Sequence, residues 1–179
     1  MDDFLDFVHA LRAEYASLKS LAERAAAQLD DAQFFATLGP DANSVAMLMK
    51  HVGGNLRSRW REFRTTDGEK PDRLRDSEFE VRESRSEIAQ RWEDGWRVLL
   101  DALDGMTPQD RAVEIVIRGE AASLPRALAR NLSHVAGHVH QIVMLAKHWT
   151  GSGWQTLSIP RGASEQARAA SPTSAGQAP

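Results

Sequence analysis

The sequence contains no cysteine. A disulfide framework, a thiolate zinc site, iron–sulfur ligation and a cysteine nucleophile are therefore all excluded. Any bound metal must be held by histidine and carboxylate side chains.

Long apolar runs and an excess of basic charge are absent as well. No stretch approaches the roughly 18 apolar residues of a membrane span. A formal net charge of -3 and a pI near 6.1 lack the electrostatic footprint of a general nucleic-acid binder. The first residues, MDDFLDF, are acidic and lack the basic and apolar regions of a signal peptide. We therefore expect a cytoplasmic protein with no nucleic-acid partner and no membrane partner.

Helical periodicity is the main pattern in the chain. With 179 residues, 42% of them hydrophobic and 26% charged, the sequence has the composition and length of one globular domain. Apolar residues recur every three or four positions in four segments, and each segment predicts an amphipathic helix. The predicted helices run from Asp3 to about Asp30, from a cap at Asp41 or Asn43 to Phe63, from about Arg82 to Leu103, and from about Ser123 to Trp149.

The connections between these helices differ in character. A polar, aperiodic segment over residues 65–80 predicts a long structured loop between the second and third helices. The alternation of Val113, Ile115 and Ile117 predicts a short extended segment before the fourth helix. Residues 154–161 can dock on the helices, whereas the segment after them has too few apolar side chains to fold. We therefore predict an all-α, up-down four-helix bundle over residues 1–162 and a disordered C-terminal tail over residues 163–179.

Two groups of residues bear on how these helices pack. Gly53 and Gly54 lie inside the second predicted helix, where each costs about 1 kcal/mol relative to alanine. Their presence there indicates a close approach of another backbone or of a ligand. Trp60, Trp92 and Trp96 recur at helical spacing, which favours core positions over a stacking platform.

The fourth predicted helix carries a histidine pair with the spacing of metal ligands. His134 and His138 lie one turn apart on one face, so both imidazoles can reach one ion, whereas His140 points to the polar side. His51 on the second helix is the best candidate for a third ligand, and three histidines leave a position open, as in catalytic sites. The alternative is that these are partly buried histidines hydrogen-bonded to their neighbours. The HExxH motif of metalloproteases is absent.

Basic side chains cluster on the second helix and in the loop that follows. They are Arg57, Arg59, Arg61, Arg64, Lys70, Arg73 and Arg75. Most are expected to form solvated ion pairs with acidic neighbours, namely Glu62, Glu69, Asp72, Asp76 and Glu78. Arg59 is the first candidate for binding a substrate carboxylate or phosphate, because it shares the side of the helix that carries His51.

Five blocks of the chain carry a resemblance to a known family. They are NSVAMLMKHVGGNLRSRWREF (43–63), TTDGEKPDRLRDSEFE (65–80), IRGE (117–120), HVAGHVHQIVMLAK (134–147) and WQTLSIPRG (154–162). In order and spacing the chain resembles the DUF1572 group of the DinB/YfiT-like superfamily over about residues 1–162. The tail lies outside the resemblance.

The resemblance implies a DinB-type four-helix bundle, commonly dimeric, with a divalent metal held by three histidines. The matching positions are filled here by His51, His134 and His138. Zinc and nickel are the first choices for the metal, and manganese and iron are also compatible. The resemblance further implies a transferase that acts on a small-molecule substrate and uses a low-molecular-weight thiol, such as bacillithiol, mycothiol or glutathione, activated at the metal.

Four further side chains receive roles under this hypothesis. Asn55, Asn131 and Gln141 are expected to orient the ligands or a bound water, and Arg59 is expected to receive the anionic end of the thiol or of its acceptor.

Two other functions remain open. One is a metal-dependent hydrolase, in which Glu120 or Asp67 would serve as the base if the loop folds over the site. The other is a non-catalytic dimeric bundle whose metal is structural or regulatory, or whose histidines hold no metal.

Overall fold

The computed structural model describes residues 2–170, and helices dominate it. Within those residues six α-helices and one two-stranded sheet follow one another along the chain. The elements are α1 (Asp3–Ala26), α2 (Asp31–Phe35), α3 (Val45–Trp60), α4 (Arg85–Asp104), β1 (Glu114–Ile117), β2 (Glu120–Ser123), α5 (Leu124–Thr150) and α6 (Ser164–Ala170). The mostly helical character predicted from the sequence is confirmed, and the small sheet is an addition to the predicted all-α class.

The four long helices, α1, α3, α4 and α5, enclose the hydrophobic core. Helix α1 packs against α4 and α5, and α3 packs against the same two helices. Trp60, Trp92 and Trp96 are among the largest fully buried side chains, which confirms their predicted core positions. Burial of such large apolar surfaces is the main favourable contribution to folding.

Glycines allow α3 and α4 to cross at backbone contact. A Cβ atom on Gly53 would lie 2.6 Å from the carbonyl oxygen of Arg91, and one on Gly95 would overlap the carbonyl oxygen of Gly53. The close backbone approach indicated by Gly53 in the sequence is therefore confirmed, and its partner is α4. This contact holds α3 against α4 at a point two residues from His51.

Two predicted helices have different boundaries in the structure, and the helix caps show where they lie. The first was predicted to continue to Asp30, but α1 ends at Ala26 and the side chain of Asp30 caps the short helix α2 instead. The second was predicted to start at Asp41 or Asn43, whereas the hydroxyl of Ser44 caps α3. A helix as short as α2 has too few turns to show periodicity, so the sequence did not reveal it.

The predicted extended segment is the first strand of a β-hairpin. Strand β1 pairs with β2 in antiparallel register, and the turn between them contains Arg118 and Gly119, both with positive φ. The carboxylate of Asp67 accepts the backbone N–H groups of Arg118 and Gly119, at 2.8 and 2.7 Å. The hairpin is thereby attached to the predicted loop over residues 65–80, which is irregular apart from the single 3-10 turn Asp76–Phe79.

The C-terminal part of the described chain lies against the core and then forms a short helix. Trp154 and Leu157 are partly buried against the core, as predicted for residues 154–161. Helix α6 occupies the start of the segment predicted as a disordered tail, where an alanine-rich sequence favours helix. The rest of that predicted tail, residues 171–179, lies outside the described residues. Among the described helices, none has the length and apolar character that crossing a membrane requires.

Candidate metal centre

Three histidines from α3 and α5 meet at one point. One ring nitrogen from each of His51, His134 and His138 lies within 4.8 Å of the others, and together they could hold a metal ion. The Nε2 atoms of His51 and His134 are 3.2 Å apart. His51 is buried, and the other two are half-buried. The fold therefore brings together the three histidines that the sequence singled out.

Two of these rings are oriented by a protein oxygen behind them. His51 donates its Nδ1–H to Oε2 of Glu78 at 2.8 Å, and His138 donates its Nδ1–H to Oε1 of Gln141 at 3.0 Å. An imidazole that donates from Nδ1 keeps a lone pair on Nε2. In both residues the Nε2 atom is therefore in the form that binds a metal.

The pKa values of the two half-buried histidines favour the same neutral form. Burial, together with the nearby His138 and His51, lowers the pKa of His134 to about 4. Burial also lowers the pKa of His138, although its hydrogen bond with Gln141 acts in the opposite direction. Both imidazoles are therefore neutral near pH 7, and a neutral imidazole is the ligand form.

Glu78 is the part of the centre that the sequence did not reveal. It was predicted among solvated ion pairs, but only 6% of its surface is exposed. Arg73, whose side chain is 4% exposed, donates to both carboxylate oxygens at 2.8 Å. Burial acts to raise the pKa of Glu78, but the hydrogen bonds from Arg73 and His51 prevail, and the pKa lies below its ordinary value.

Gly54 makes room for this carboxylate. A Cβ atom at Gly54 would overlap Oε1 of Glu78. The sequence marked Gly54 as a site of close approach, but the partner is a side chain of the loop. Because the loop has no periodicity, the sequence held no signal that would pair Glu78 with His51.

Asn55 and Asn131 belong to a buried amide network next to the histidines. Trp60 donates its indole N–H to Oδ1 of Asn131 at 3.0 Å, and Tyr15 donates its hydroxyl to the same oxygen at 3.0 Å. Asn131 in turn donates from Nδ2 to Oδ1 of Asn55 at 3.0 Å. Both amides border a cavity beside His134, and the oxygen of Asn131 is occupied by donors of the core.

Arg59 lies on the same side of α3 and borders the same cavity. It is half-buried, and its Nε atom is buried without a hydrogen-bond partner among residues 2–170. Burial lowers the pKa of Arg59, as do the charges of Arg73, Arg118 and Arg130, while Glu69 opposes them. The predicted position of Arg59 on the His51 side of the helix agrees with this placement.

The remaining basic residues follow the predicted pattern only in part. Arg61 forms an ion pair with Asp72 at 2.7 Å at the surface, as predicted. Arg73 departs from that pattern because its ion pair with Glu78 is buried. His140 is exposed, as its position on the polar side of the helix predicted.

Comparison with known proteins identifies a family. The family described as "Protein of unknown function (DUF1572)" matches residues 3–163. No curated protein and no solved structure matches the chain.

Proposed function

The chain belongs to the DUF1572 family, and on that premise we propose that it is a divalent-metal-dependent enzyme whose ion is held by His51, His134 and His138. One observation carries the proposal: ligand nitrogens of three histidines from two packed helices lie within 4.8 Å of one another. Three imidazole ligands with an exchangeable further position are typical of catalytic metal sites.

The arrangement of ring nitrogens fits a cation better than it fits histidines bonded only to each other. A hydrogen bond between the two Nε2 atoms would satisfy those atoms of His51 and His134. It would leave Nε2 of His138 without a protein partner among residues 2–170. A single ion accepts the lone pairs of all three rings, and the carboxylate of Glu78 behind His51 is the outer partner that metal-bound histidines commonly have.

We also propose the finer classification that the resemblance implies. The mutual packing of α1, α3, α4 and α5 supports a DinB-type up-down four-helix bundle over residues 1–162, with the DinB/YfiT superfamily as its relatives and residues 163–179 as a tail. A homodimer and a cytoplasmic location complete the proposal. Light scattering at micromolar concentration tests the dimer, and a monomeric mass would contradict it.

Zinc or nickel is the proposed metal, with manganese and iron as alternatives, because three imidazoles suit all of these ions. When bound, such an ion lowers the pKa of a thiol that reaches it and so provides a nucleophile at neutral pH. Glu78 and Gln141 hold the rings of His51 and His138 in place. The amide network through Asn131 holds Asn55 beside the centre.

We propose that the chain transfers a low-molecular-weight thiol to a small electrophilic substrate. Because the chain has no cysteine, the sulfur must arrive with a cosubstrate such as bacillithiol, mycothiol or glutathione. Hydrolysis has less support. The carboxylate of Asp67 accepts three backbone N–H groups, and Glu120 is exposed in β2, so neither is arranged as a base for water.

Metal content is the first test. Tag-free protein purified without chelator should contain about one equivalent of divalent metal by mass spectrometry. His51→Ala and His138→Ala should lose it, whereas His140→Ala, which removes an exposed histidine of the same helix, should retain it. Wild-type protein that stays metal-free after reconstitution with zinc, nickel and manganese would overturn the metal centre.

Thiol dependence is the second test. The metal-loaded protein should consume a reactive electrophile only when a thiol is supplied, and His138→Ala should abolish that consumption. Turnover without thiol would favour the hydrolase. Metal binding that stabilises the fold with no turnover of any kind would favour the non-catalytic bundle.

A further inference from the structure

A small cavity of about 50 Å³ lies between α3 and α5 next to His134. Its polar lining is Asn55, Arg59, Arg130, Asn131 and His134, and the rest of the lining is apolar. No carboxylate lines it among the described residues. The charged groups that face this space beside the candidate metal centre are therefore both positive.

Arg59 has no ionic partner in this cavity. Among residues 2–170 it forms no ion pair, and its buried Nε–H has no acceptor. Glu69 is the acidic group that acts on it, but the Glu69 oxygens are paired with Arg73 at 3.3 Å and with Arg118 at 3.1 Å. Gly68 leaves room for the Arg59 side chain, since a Cβ atom there would lie 3.0 Å from its Cδ. A half-buried guanidinium without a counter-charge is costly, and an anion would remove that cost.

Asn55 adds a second free donor, and the amide network fixes its orientation. The indole N–H of Trp60 can only donate, so the atom of Asn131 that it contacts is the oxygen. The Nδ2 of Asn131 must then donate to the oxygen of Asn55. This leaves Nδ2 of Asn55, a residue only 6% exposed, without a partner among residues 2–170. Because Asn55 lines the cavity, this N–H group is available to an acceptor bound there.

We infer that this cavity is a carboxylate subsite and that the cosubstrate is a carboxylate-bearing thiol. The planar fork of a guanidinium matches a carboxylate in shape and charge, and the exposed Arg130 adds further positive charge. The cavity of about 50 Å³ is far smaller than the roughly 150 Å³ that holds a benzene ring, so a carboxylate matches its size better than a sugar or an aromatic group does. The inference that the ligand is a thiol rests on the proposed function, whereas the anion subsite does not.

The inference narrows the set of thiols. Glutathione and bacillithiol carry carboxylates, whereas mycothiol carries none. A carboxylate placed against Arg59 brings the rest of the same molecule next to His134, which borders the same cavity. The subsite therefore selects the first two thiols over the third.

Anion binding is tested on the metal-free wild-type protein. The Arg59 Nε–H resonance, assigned by its loss in Arg59→Lys, is followed by ¹H–¹⁵N NMR during titration with succinate at constant ionic strength. A saturable shift is expected with succinate and none with the neutral analogue succinamide. No shift with succinate, or equal shifts with both, would overturn the subsite. A tighter response to inorganic phosphate than to succinate would overturn its assignment to carboxylates.

Variants test whether Arg59 is the recognising group. Arg59→Gln should weaken succinate binding at least about tenfold, because it removes a charge-assisted hydrogen bond. Arg126→Gln, which removes an exposed arginine of α5 outside the cavity lining, should bind succinate like wild type. Circular dichroism verifies folding, and if Arg59→Gln does not fold, the wild-type titration alone decides. Equal succinate affinity in folded Arg59→Gln and wild type would contradict the inference.

Thiol preference separates this inference from the proposed function. The metal-loaded enzyme should show kcat/KM for glutathione or bacillithiol at least about tenfold above that for mycothiol, and Arg59→Gln should remove the difference. A preference for mycothiol would contradict the carboxylate subsite but remain consistent with a thiol transferase. Succinate binding without turnover of any thiol would support the subsite and contradict the transferase.

Discussion

At the scale of single residues, Glu78 connects a loop to a helix. It accepts the Nδ1–H of His51 and is held in turn by two hydrogen bonds from Arg73. A carboxylate in this position fixes the imidazole tautomer and makes the ligand nitrogen more basic. Through this chain of contacts a loop residue orients one of the three candidate ligands without being one of them.

The substitution Glu78→Gln should weaken metal binding by about 10- to 100-fold. A neutral amide is a weaker acceptor for His51 and leaves Arg73 buried without its counter-charge. Competition with a chromogenic chelator measures the metal affinity. Glu80→Gln, which changes a carboxylate 67% exposed, is the control and should bind metal like wild type. Unchanged affinity in Glu78→Gln would show that Glu78 does not orient a ligand.

A second buried carboxylate, Asp110, makes stability depend on pH. Hydrogen bonds from Arg64, at 2.7 and 2.9 Å, are the main cause that lowers the pKa of Asp110 to about 2. Because this pKa is depressed in the folded state, the stabilisation is present above the unfolded pKa near 3.8 and is lost as pH falls towards about 2.

Asp110→Asn should therefore lower the free energy of unfolding by about 2 kcal/mol at neutral pH. The difference from wild type should shrink as the pH falls from about 4 to about 2. Urea unfolding over a pH series measures this difference. Asp101→Asn, at an exposed position, should show no such trend. A deficit in Asp110→Asn that is constant with pH would contradict the assignment.

At the scale of elements, the crossing of α3 and α4 depends on two glycines. Gly53→Ala places a Cβ atom 2.6 Å from a backbone oxygen, which cannot move aside as a flexible side chain can. We expect a loss of about 1–3 kcal/mol or more in the free energy of unfolding, since overpacking a tight contact costs that much. Thermal and urea unfolding measure it.

Gly137→Ala is the matched control for that prediction. Gly137 lies in α5, and a Cβ atom there would meet nothing within 4 Å. Helix propensity alone then applies, and the variant should gain up to about 1 kcal/mol. The free energy of unfolding should fall in Gly53→Ala and rise in Gly137→Ala. A rise in both variants would contradict the backbone contact between α3 and α4.

The long helices could be predicted from the sequence, whereas some short elements could not. The long helices were predictable because each carries an apolar stripe over several turns. Strand β2 was not, because Glu120–Ser123 contains only alanine as an apolar residue and exists by pairing with β1. Asp30 was predicted to end the first helix, but in the structure it caps the next one. The sequence could not show this, because capping depends on where the chain turns.

At the scale of the whole molecule, the candidate site joins distant parts of the chain. Spacing alone could pair His134 with His138, and the face of the second predicted helix could offer His51. Arg59 and Asn55 follow from the same helical periodicity. Gln141, which was predicted to orient a ligand, lies next to His138 on the same helix face. Glu78 could not be predicted in this way, because its contact with His51 depends on how an aperiodic loop folds onto α3.

Metal binding should therefore stabilise the whole fold. An ion shared by α3 and α5 binds the folded state, so zinc at about 100 times its Kd should raise the free energy of unfolding by about 2.7 kcal/mol. Urea unfolding with and without zinc measures the gain. His138→Ala should show no gain and His140→Ala the full one. Zinc that binds without raising stability would contradict a site formed only in the folded state.

The crossing at Gly53 also gives α3 a pivot from which His51 and Arg59 lie at unequal distances. His51 is two residues from that pivot, about 3 Å along the axis, whereas Arg59 is six residues away on the other side, about 9 Å. Any rocking of the helix about the pivot moves Arg59 about three times as far as His51. His51 would then stay nearly stationary while the guanidinium of Arg59 changes position. Under the proposed function, one rigid helix would hold the ion in fixed geometry and still accommodate carboxylates that lie at different distances from the sulfur.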